Sequence, residues 1–419
     1  MISEDVESAL ATYRVLDLTT GGCMYCAKIL ADLGADIIKI EPPGGEPSRN
    51  TGPFYKDTAD PEKSLYWFSF NTNKRSITLN LNTKDGQELL RQLVKTADFV
   101  IESFAPGYMG RLGLGYEELS KINPRLIMTS ITPFGQSGPY SSYQSSDLVT
   151  WAMGGYMYLC GDPDRAPVWI SFPQASIYGG SHAAAGTMIA HWYRELTGEG
   201  QSIDVSIQEC VICFLNQAMQ NWDLNKIDSY RVGYKYMTGG GPINMGHQCK
   251  DGYVSCAIMG GGVSAQVRTS KVLTDWLSEE GKAPDWLKDF DWENDYDAMK
   301  HTPELVEKVE NCFKGLFKEK TKEALYAKAA EARIMLAPLN DPKDLLSDKQ
   351  LSSREFWVKL EHPELGEFIT YCGPVAKLTQ TPMTLKRRAP FIGEHNIEIY
   401  EELGLSRKQI VVLKQSGTI

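Results

Sequence analysis

The sequence predicts an α/β protein whose larger part is a doubly wound parallel sheet. Short apolar runs rich in β-branched residues alternate with amphipathic helical patterns over about two hundred residues. The first strand–helix–strand unit, residues 15–40, has the length that a crossover between parallel strands requires. Turn-rich segments separate these elements, as is typical of the functional loops of such a sheet.

The individual elements have recognisable boundaries. Gly34 is placed to end the first helix, Asn123 and Pro124 to end helix 116–122, and Gly198 to end a long helix that begins after Gly179. The predicted strands are residues 15–18, 36–40, 76–81, 99–102, 126–131 and 202–205. The other predicted helices are residues 24–33, 85–96, 116–122 and 148–160.

A second, smaller α+β domain is predicted in the middle of the chain. After about Asn221 the composition changes, and residues 234–266 form a glycine-rich segment that contains a predicted strand at 253–257. Charged, tryptophan-containing helical patterns follow over residues 267–335. We therefore expect a small domain over residues 221–335.

Composition and charge exclude several classes of protein. The 419 residues are 42% hydrophobic and 23% charged, and the formal net charge is -10, which argues against a nucleic-acid partner. No apolar run approaches the roughly eighteen residues of a membrane span, and the acidic first residues lack the apolar core of a signal peptide. Nine cysteines in so long a chain fit a reducing compartment, so we expect a cytoplasmic protein.

Residues 166–186 are the stretch around which the chemistry is expected. A β-branched and aromatic run, residues 168–172, stops at Pro173 and leads into a helix of small residues. We predict a strand-to-helix turn here, which is where an open α/β sheet places reactive groups.

Four loops are expected at the carboxyl ends of the strands: residues 41–49, 71–75, 103–111 and 133–146. Their cations, which are Arg49, Lys74, Arg75 and Arg111, together suit a phosphorylated ligand, although each alone also fits a solvated surface charge. Phe104 and Tyr108 suit either base stacking or core packing.

Two further motifs bear on the chemistry of the chain. The pairs Cys23/Cys26 and Cys210/Cys213 have metal-ligand spacing but lie in apolar helical patterns, so we predict no metal site. Three consecutive glycines, Gly239, Gly240 and Gly241, indicate close approach to a ligand or a moving lid.

The chain resembles the family III CoA-transferases, also called the CaiB/BaiF family, over nearly its whole length. The segments that carry the resemblance are LADLGADIIKIEPPGG, FNTNKRSITLNL, ESFAPGYMGRLGLGYEEL, NPRLIMTSITPFGQSGPY, LEHPELG, APFIGEHN and EELGLS. The resemblance implies a Rossmann-like large domain formed by both chain ends, residues 1–220 with 336–419, and an interlocked ring-like dimer. It also implies coenzyme A as a substrate.

The resemblance assigns roles to particular residues. CoA would be held by Asn71, Lys74, Arg75, Ser103, Phe104, Ala105 and Arg111. Gly239, Gly240 and Gly241 would close over the reacting thioester. The family's nucleophilic aspartate corresponds to Ser176, and a serine cannot form the acyl anhydride on which the family's chemistry depends.

The serine implies a chain that keeps the fold but lacks its own nucleophile. We expect one subunit of a heteromeric CoA-transferase whose homologous partner supplies the aspartate. Such heterodimers resemble the benzylsuccinate CoA-transferases of anaerobic aromatic degradation, which move CoA from succinyl-CoA to (R)-benzylsuccinate. Two alternatives stay open: a self-sufficient enzyme that uses Asp147, Asp162 or Asp164, and a non-catalytic CoA-binding or scaffold protein.

Overall fold

The computed structural model describes residues 8–238, 240–296 and 301–419, and it divides them into two compact units. The larger unit contains residues 8–156, 169–219 and 349–419, and the smaller one contains residues 157–168 and 220–348. Residues 157–168, which lie within the predicted large domain, group with the smaller unit because Gly233 N donates to Gly161 O at 2.8 Å and Arg231 Nε donates to Asp162 O at 2.9 Å.

A six-stranded sheet forms the centre of the larger unit and confirms the predicted fold class. Its order is β3-β2-β1-β4-β5-β6, and every neighbouring pair is parallel. The chain therefore winds in one direction from β1 to β3 and in the other from β4 to β6. The strands are β1 Arg14–Leu18, β2 Asp36–Glu41, β3 Lys74–Thr78, β4 Phe99–Glu102, β5 Ile127–Thr132 and β6 Ser202–Ser206.

Helices cover both faces of this sheet. On one face Leu89, Leu119 and Ile399 pack with the side chains of β1, β2 and β3 in a continuous apolar core. On the other face a hydrogen bond of 2.7 Å joins Thr129 of β5 to Thr187. In chain order, the helices up to residue 225 are α1 Tyr25–Asp32, α2 Leu65–Asn71, α3 Lys84–Val94, α4 Tyr108–Arg111, α5 Tyr116–Ile122, α6 Asp147–Met153, α7 Ala175–Thr197, α8 Ile207–Ile212 and α9 Ala218–Asn225.

Helix α7 is anchored to the sheet by Arg194, whose side chain is fully buried. The guanidinium donates to the carbonyl oxygens of Asp98 (2.9 Å) and Arg125 (3.2 Å) and lies over the Phe99 ring. Gly198 ends the helix with a left-handed backbone, as its position predicts. The carboxyl end of α7 is thus held in a fixed relation to the strands.

The predicted strand before α7 is wrong. Residues 168–172 have no regular secondary structure, and the side chains of Val168 and Phe172 are exposed. Their β-branched and aromatic character favours a strand only where a neighbouring strand and a buried face are available. The helix begins at Ala175, so the turn into it is an irregular segment.

The carboxyl-terminal part of the chain covers the outer edge of β3. Asn396 Oδ1 accepts from Thr78 N and its Nδ2 donates to Thr78 Oγ1, both at 2.8 Å, while His395 Nδ1 accepts from Ser76 N at 3.1 Å. An edge strand that is covered in this way cannot pair with another chain. This part contains α15 Lys349–Ser353, β12 Trp357–His362, β13 Glu367–Cys372, α16 Asn396–Glu402 and α17 Arg407–Gln415.

The smaller unit mixes short strands and helices around its own core. Val254, Leu273, Val309 and Phe313 are among the buried residues of that core. Its elements are the antiparallel pair β7 Lys235–Thr238 and β8 Gly241–Asn244, the sheet of β9 Gly246–Cys249, β10 Gly252–Cys256 and β11 Leu336–Pro338, and the helices α10 Ser264–Glu279, α11 Asp285–Lys288, α12 Pro303–Lys318, α13 Lys322–Ala332 and α14 Pro342–Leu346. In the described part of the chain, no helix is both long and apolar enough to cross a membrane.

Candidate functional site

The candidate site lies where the neighbouring strands β1 and β4 end. After β1 the chain adds strands on one side of the sheet, and after β4 it adds them on the other side. In sheets of this order ligands bind at that point, outside the carboxyl ends of the strands. Two loops meet there: residues 19–22 follow β1 and residues 103–107 follow β4. Thr20 N donates to Ser103 Oγ at 2.9 Å, so the two loops are joined across the crevice.

The loop after β4 brings together four of the residues predicted to bind CoA: Ser103, Phe104, Ala105 and Arg111. The Phe104 ring lies 4.8 Å from the ring of Tyr108, and the Arg111 guanidinium lies 6.0 Å from the same Tyr108 ring. Ala105 and Arg111 are exposed, and Ser103 and Phe104 are half-buried. The arrangement offers aromatic surface and a guanidinium side by side, which suits a ligand with both a base and phosphates.

Glu102, the last residue of β4, was not singled out from the sequence and lies directly beneath this loop. Its side chain is buried, and its Oε2 accepts from Phe104 N at 2.6 Å. Burial raises the pKa of the Glu102 carboxyl to about 7, against hydrogen bonds from Ser130 and Phe104 that lower it, and the nearby Asp204 carboxylate adds to the increase. The position of Glu102 at the end of an apolar strand is the sequence signal by which this residue could have been predicted.

The expectation that residues 71–75 lie at the carboxyl end of the sheet is wrong. The segment precedes β3, which begins at Lys74, and therefore lies at the amino end. Lys74 is fully buried and donates to Asp17 Oδ2 (2.9 Å), Asn71 Oδ1 (3.0 Å) and Met24 O (3.1 Å). These three bonds use all the N–H groups of its ammonium, so Lys74 does not face a phosphate as expected.

Burial and charge shape this ionic cluster. Burial lowers the pKa of Lys74 to about 8, against the Asp17 carboxylate that raises it. Burial would raise the pKa of Asp17, but Lys39 and Lys74 together hold it at about 2. The cluster lies below the loop after β1, since Lys39 Nζ donates to Thr19 O. Its contacts support a structural role for Asn71 and Lys74.

Arg75 is likewise engaged within the chain. It contacts Asp36 Oδ2 (2.6 Å), Glu398 Oε1 (2.6 Å) and Glu402 Oε1 (2.8 Å), and only 10% of its side chain is exposed. Two of these carboxylates come from α16, so Arg75 connects this helix to the start of β2. The expectation that its guanidinium faces phosphates does not fit these contacts.

Ser176 is the second residue of α7 and lies against the loop after β1. A Cβ atom built on Gly22 would lie 2.3 Å from Ser176 Oγ, so only glycine allows the two segments to approach so closely. Within the described residues the Ser176 hydroxyl has no hydrogen-bond partner, and the residue is half-buried. Since no base among the described residues accepts a hydrogen bond from this hydroxyl, its geometry is not that of a serine nucleophile.

Asp147 directs its carboxylate at the first residue of α7, which precedes Ser176 in the chain. Its Oδ1 accepts from Ala175 N at 2.7 Å, and its Oδ2 accepts from Trp169 Nε1 at 3.1 Å. A carboxylate at this place is stabilised by the first N–H groups of α7. Of the other two carboxylates considered, Asp162 and Asp164, both belong to the smaller unit, whereas Ser176 belongs to the larger.

Tyr66 joins the same group of residues and was not predicted. Burial raises the pKa of its hydroxyl, and the charges of Cys23, Glu46 and Asp147 raise it further, so the hydroxyl stays protonated. It lies 3.9 Å from the position of a Cβ on Gly21, at the mouth of the loop after β1. In the sequence Tyr66 is one of several aromatic residues in a short helix, and nothing distinguishes it from core.

The glycine segment packs on its own unit. Gly239 lies outside the described residues. A Cβ on Gly240 would lie 2.7 Å from His301 O and 2.9 Å from His301 N, and Gly241 has a φ of +129°, which a residue with a side chain rarely adopts. Thr238 Oγ1 also donates to Gly241 O at 2.7 Å. The absence of a side chain at Gly240 therefore allows it to approach the backbone of His301 in this same chain.

The cysteine pairs are thiols in apolar surroundings. Cys23, Cys26 and Cys210 are buried, and burial raises the pKa of Cys23 and of Cys210 to about 12. Over residues 8–238, 240–296 and 301–419, no group of three or more His, Cys, Asp or Glu side chains is arranged to hold a metal ion.

A Rossmann-like sheet with an aromatic and cationic loop at its switch point suits a nucleotide-type ligand, and comparison with known proteins assigns the class. The model of CoA-transferase family III matches residues 10–396. The chain therefore belongs to the family III CoA-transferases.

Individual relatives cover the whole chain. It is 36% identical to the succinyl-CoA:(R)-benzylsuccinate CoA-transferase subunit BbsE of Thauera aromatica, over 97% of each chain. It is 33% identical to the succinyl-CoA–L-malate CoA-transferase beta subunit of Chloroflexus aurantiacus, over 98% of each chain. A crystal structure of a CaiB/BaiF family protein from Brucella suis superimposes with a TM-score of 0.80 at 28% identity, covering 95% of this chain and 100% of the other.

Proposed function

We propose that this chain is the subunit without a nucleophile of a heteromeric CoA-transferase. The observation that carries the proposal is Ser176 at the start of α7: its hydroxyl has no hydrogen-bond partner among the described residues, and the family resemblance matches it to the nucleophilic aspartate. Two of the similar relatives are themselves named as subunits. We propose succinyl-CoA as donor and (R)-benzylsuccinate or a related dicarboxylic acid as acceptor.

In the proposed reaction the partner's aspartate does the covalent chemistry. Its carboxylate attacks the donor thioester, which gives a mixed anhydride and CoA thiolate. The thiolate then attacks the aspartyl carbonyl, releases the donor acid and forms an aspartyl-CoA thioester. The acceptor carboxylate displaces the thiolate to form a second anhydride, and the thiolate opens that anhydride at the acceptor carbonyl, which restores the aspartate. Each step exchanges one activated acyl group for another.

This chain's own residues would bind the CoA part of the substrate. Phe104 and Tyr108 offer aromatic surface, Arg111 offers a cation to a phosphate, and Ser103 and Ala105 line the same loop. The contacts of Asn71, Lys74 and Arg75 support an indirect role, in which they fix the start of β3. We propose that Gly239, Gly240 and Gly241 approach the thioester, as the resemblance implies.

An exposed apolar face on α7 supports a partner chain. Ile189, Trp192 and Leu196 are 72%, 67% and 69% exposed, and their spacing places them on one side of the helix. Three such large side chains on one face are typical of an interaction surface. We propose a homologous subunit as the occupant, in the interlocked arrangement that the resemblance implies.

Co-purification and assay test the proposal. Native mass spectrometry of the chain alone and co-expressed with an Asp-bearing homologue is combined with thioester exchange between succinyl-CoA and (R)-benzylsuccinate. We expect a mixed complex that is active only when both chains are present, and Ser176→Ala in this chain should leave its rate unchanged. An active homomer of this chain would contradict the proposal.

The geometry of Asp147 favours a second candidate, a self-sufficient transferase that uses this carboxylate. Asp147 lies one hydrogen bond from the residue next to Ser176. In that case the homomer is active and Asp147→Asn abolishes its activity, whereas Asp164→Asn, in the smaller unit, does not. A chain that binds CoA but is inactive in every combination would instead be a CoA-binding scaffold.

A further inference from the structure

Glu102 is a buried carboxyl at the candidate site, and burying such a group costs free energy unless an interaction compensates for it. It ends β4 at the strand pair where the winding reverses, opposite Leu18 of β1 and Ser130 of β5. Only 4% of the residue is exposed. Within the described residues no cation pairs with it, so the usual compensation for a buried carboxylate is missing.

The contacts of Glu102 are directed at the loop that follows it. Oε2 accepts from Phe104 N two residues further on, at 2.6 Å, a short and strong geometry for such a bond. Ser103, between the two, is held on the other side by Thr20 N. The loop is thus fixed at two successive residues, and the side chain of Phe104 is aimed by the bond to its own backbone.

The charges around Glu102 make its hold on the loop depend on protonation. Asp204 of β6 is the titratable group whose charge acts on it, the Cys23 thiol after β1 stays neutral because its own pKa is raised to about 12, and the Ser130 hydroxyl bonds to Glu102 from β5. Burial and Asp204 raise the pKa of Glu102 to about 7. A carboxylate is a stronger acceptor for Phe104 N than the neutral acid.

We propose that Glu102 is a positioning residue for CoA: it sets the shape of residues 102–105 and thereby the orientation of Phe104 toward the bound ligand. The inference rests on the proposed function, because it requires that this loop bind CoA. It assigns a task to a side chain that neither the family resemblance nor the aromatic and cationic groups of the loop account for.

Calorimetric titration of the purified full chain with free coenzyme A at pH 6, 7 and 8 tests the inference. The variants are Glu102→Ala, Glu102→Gln and, as a control of equal charge change, Glu117→Gln on the exposed side of α5. We expect Glu102→Ala to raise the Kd by about tenfold at pH 8, because one charged hydrogen bond is lost. Glu102→Gln keeps an acceptor for Phe104 N and should stay within about threefold.

The pH profile separates positioning from a purely structural role. In the wild type and in Glu117→Gln the affinity should fall as Glu102 is protonated below pH 7, beyond the effect of the phosphates of CoA, which all variants share. In Glu102→Gln the affinity should change with pH only through the phosphates of CoA. This comparison also decides the matter if Glu102→Ala fails to fold.

The outcomes are distinguishable. If the wild-type chain does not bind coenzyme A, the proposed function fails and the inference with it. If the wild type binds but Glu102→Ala binds equally well, or Glu102→Gln follows the wild-type pH profile, the inference alone is overturned.

Discussion

Gly22 and Ser176 approach each other so closely that a Cβ on Gly22 would lie 2.3 Å from the Ser176 Oγ and 2.9 Å from the Ile177 backbone nitrogen. The two residues connect the loop after β1 with the first turn of α7. The side chain at position 176 therefore packs against the loop after β1, and a side chain at position 22 would clash with it.

Gly22→Ala should destabilise the larger unit, because the backbone of α7 cannot give way as a flexible side chain would. We expect a loss of about 1 to 3 kcal/mol in the free energy of unfolding, measured by urea denaturation. Gly110→Ala is the matched control, since nothing lies within 4 Å of its Cβ position. Equal stability of the two variants would contradict the packing described.

Arg194→Ala should be among the most damaging single changes in α7. It removes a fully buried guanidinium together with its hydrogen bonds to the carbonyl oxygens of Asp98 and Arg125, of which the first keeps only its bond from Ile127 N. We expect a loss of about 3 to 5 kcal/mol in chemical denaturation. Arg125→Ala, whose side chain is 53% exposed, should cost less than about 1 kcal/mol. Similar losses for the two would refute the anchoring role of Arg194.

Stability should fall as the pH rises from about 4.5 to about 7, through the titration of Glu102. The folded chain holds this proton up to a pKa of about 7, whereas an unfolded glutamate releases it near its ordinary value of 4.5. The contribution is therefore fully present below pH 4.5 and lost above pH 7, with a size of about 3 kcal/mol.

Glu102→Gln should abolish this component, so that the variant gains stability relative to the wild type at pH 8 but not at pH 4.5. Urea denaturation at both pH values measures the difference. A constant offset between the two proteins would show that Glu102 does not titrate in this window.

Leu196→Glu should prevent assembly while leaving the fold intact. The side chain is 69% exposed, so the charge is tolerated in the free chain but not when buried against a partner. We expect loss of the complex in native mass spectrometry with a shift of less than about 2 °C in Tm. Val412→Glu, at a 61% exposed position on α17, is the control. Assembly of Leu196→Glu at wild-type levels would exclude α7 as the interface.

Much of the fold was predictable because its signals are local. β4 was predicted with its observed bounds, and β1, β2, β5 and β6 to within one residue, since each is an apolar run between turn residues. Residues 168–172 have the same local character but no neighbouring strand, which only the folded chain reveals. The error over Arg75 has the same origin: its partners Glu398 and Glu402 lie more than 320 residues away.

The candidate site was predictable in part. Ser103, Phe104, Ala105 and Arg111 form one continuous segment, so sequence alone could place them together. Tyr66, Asp147 and Glu102 come from three separate elements, and their proximity to the loops after β1 and β4 depends on the strand order. The sequence shows that Glu102 ends an apolar strand, but it does not show that this carboxyl accepts a hydrogen bond from the backbone of the loop that follows.

During synthesis on the ribosome, Thr78 emerges long before Asn396, because 318 residues separate them. At about 5 to 20 residues per second, the outer edge of β3 stays uncovered for roughly 15 to 60 seconds. A growing chain with a bare strand edge can pair with another growing chain on the same messenger. Yield on overexpression should therefore respond to translation rate and to chaperones, and chains that terminate before Asn396 should aggregate.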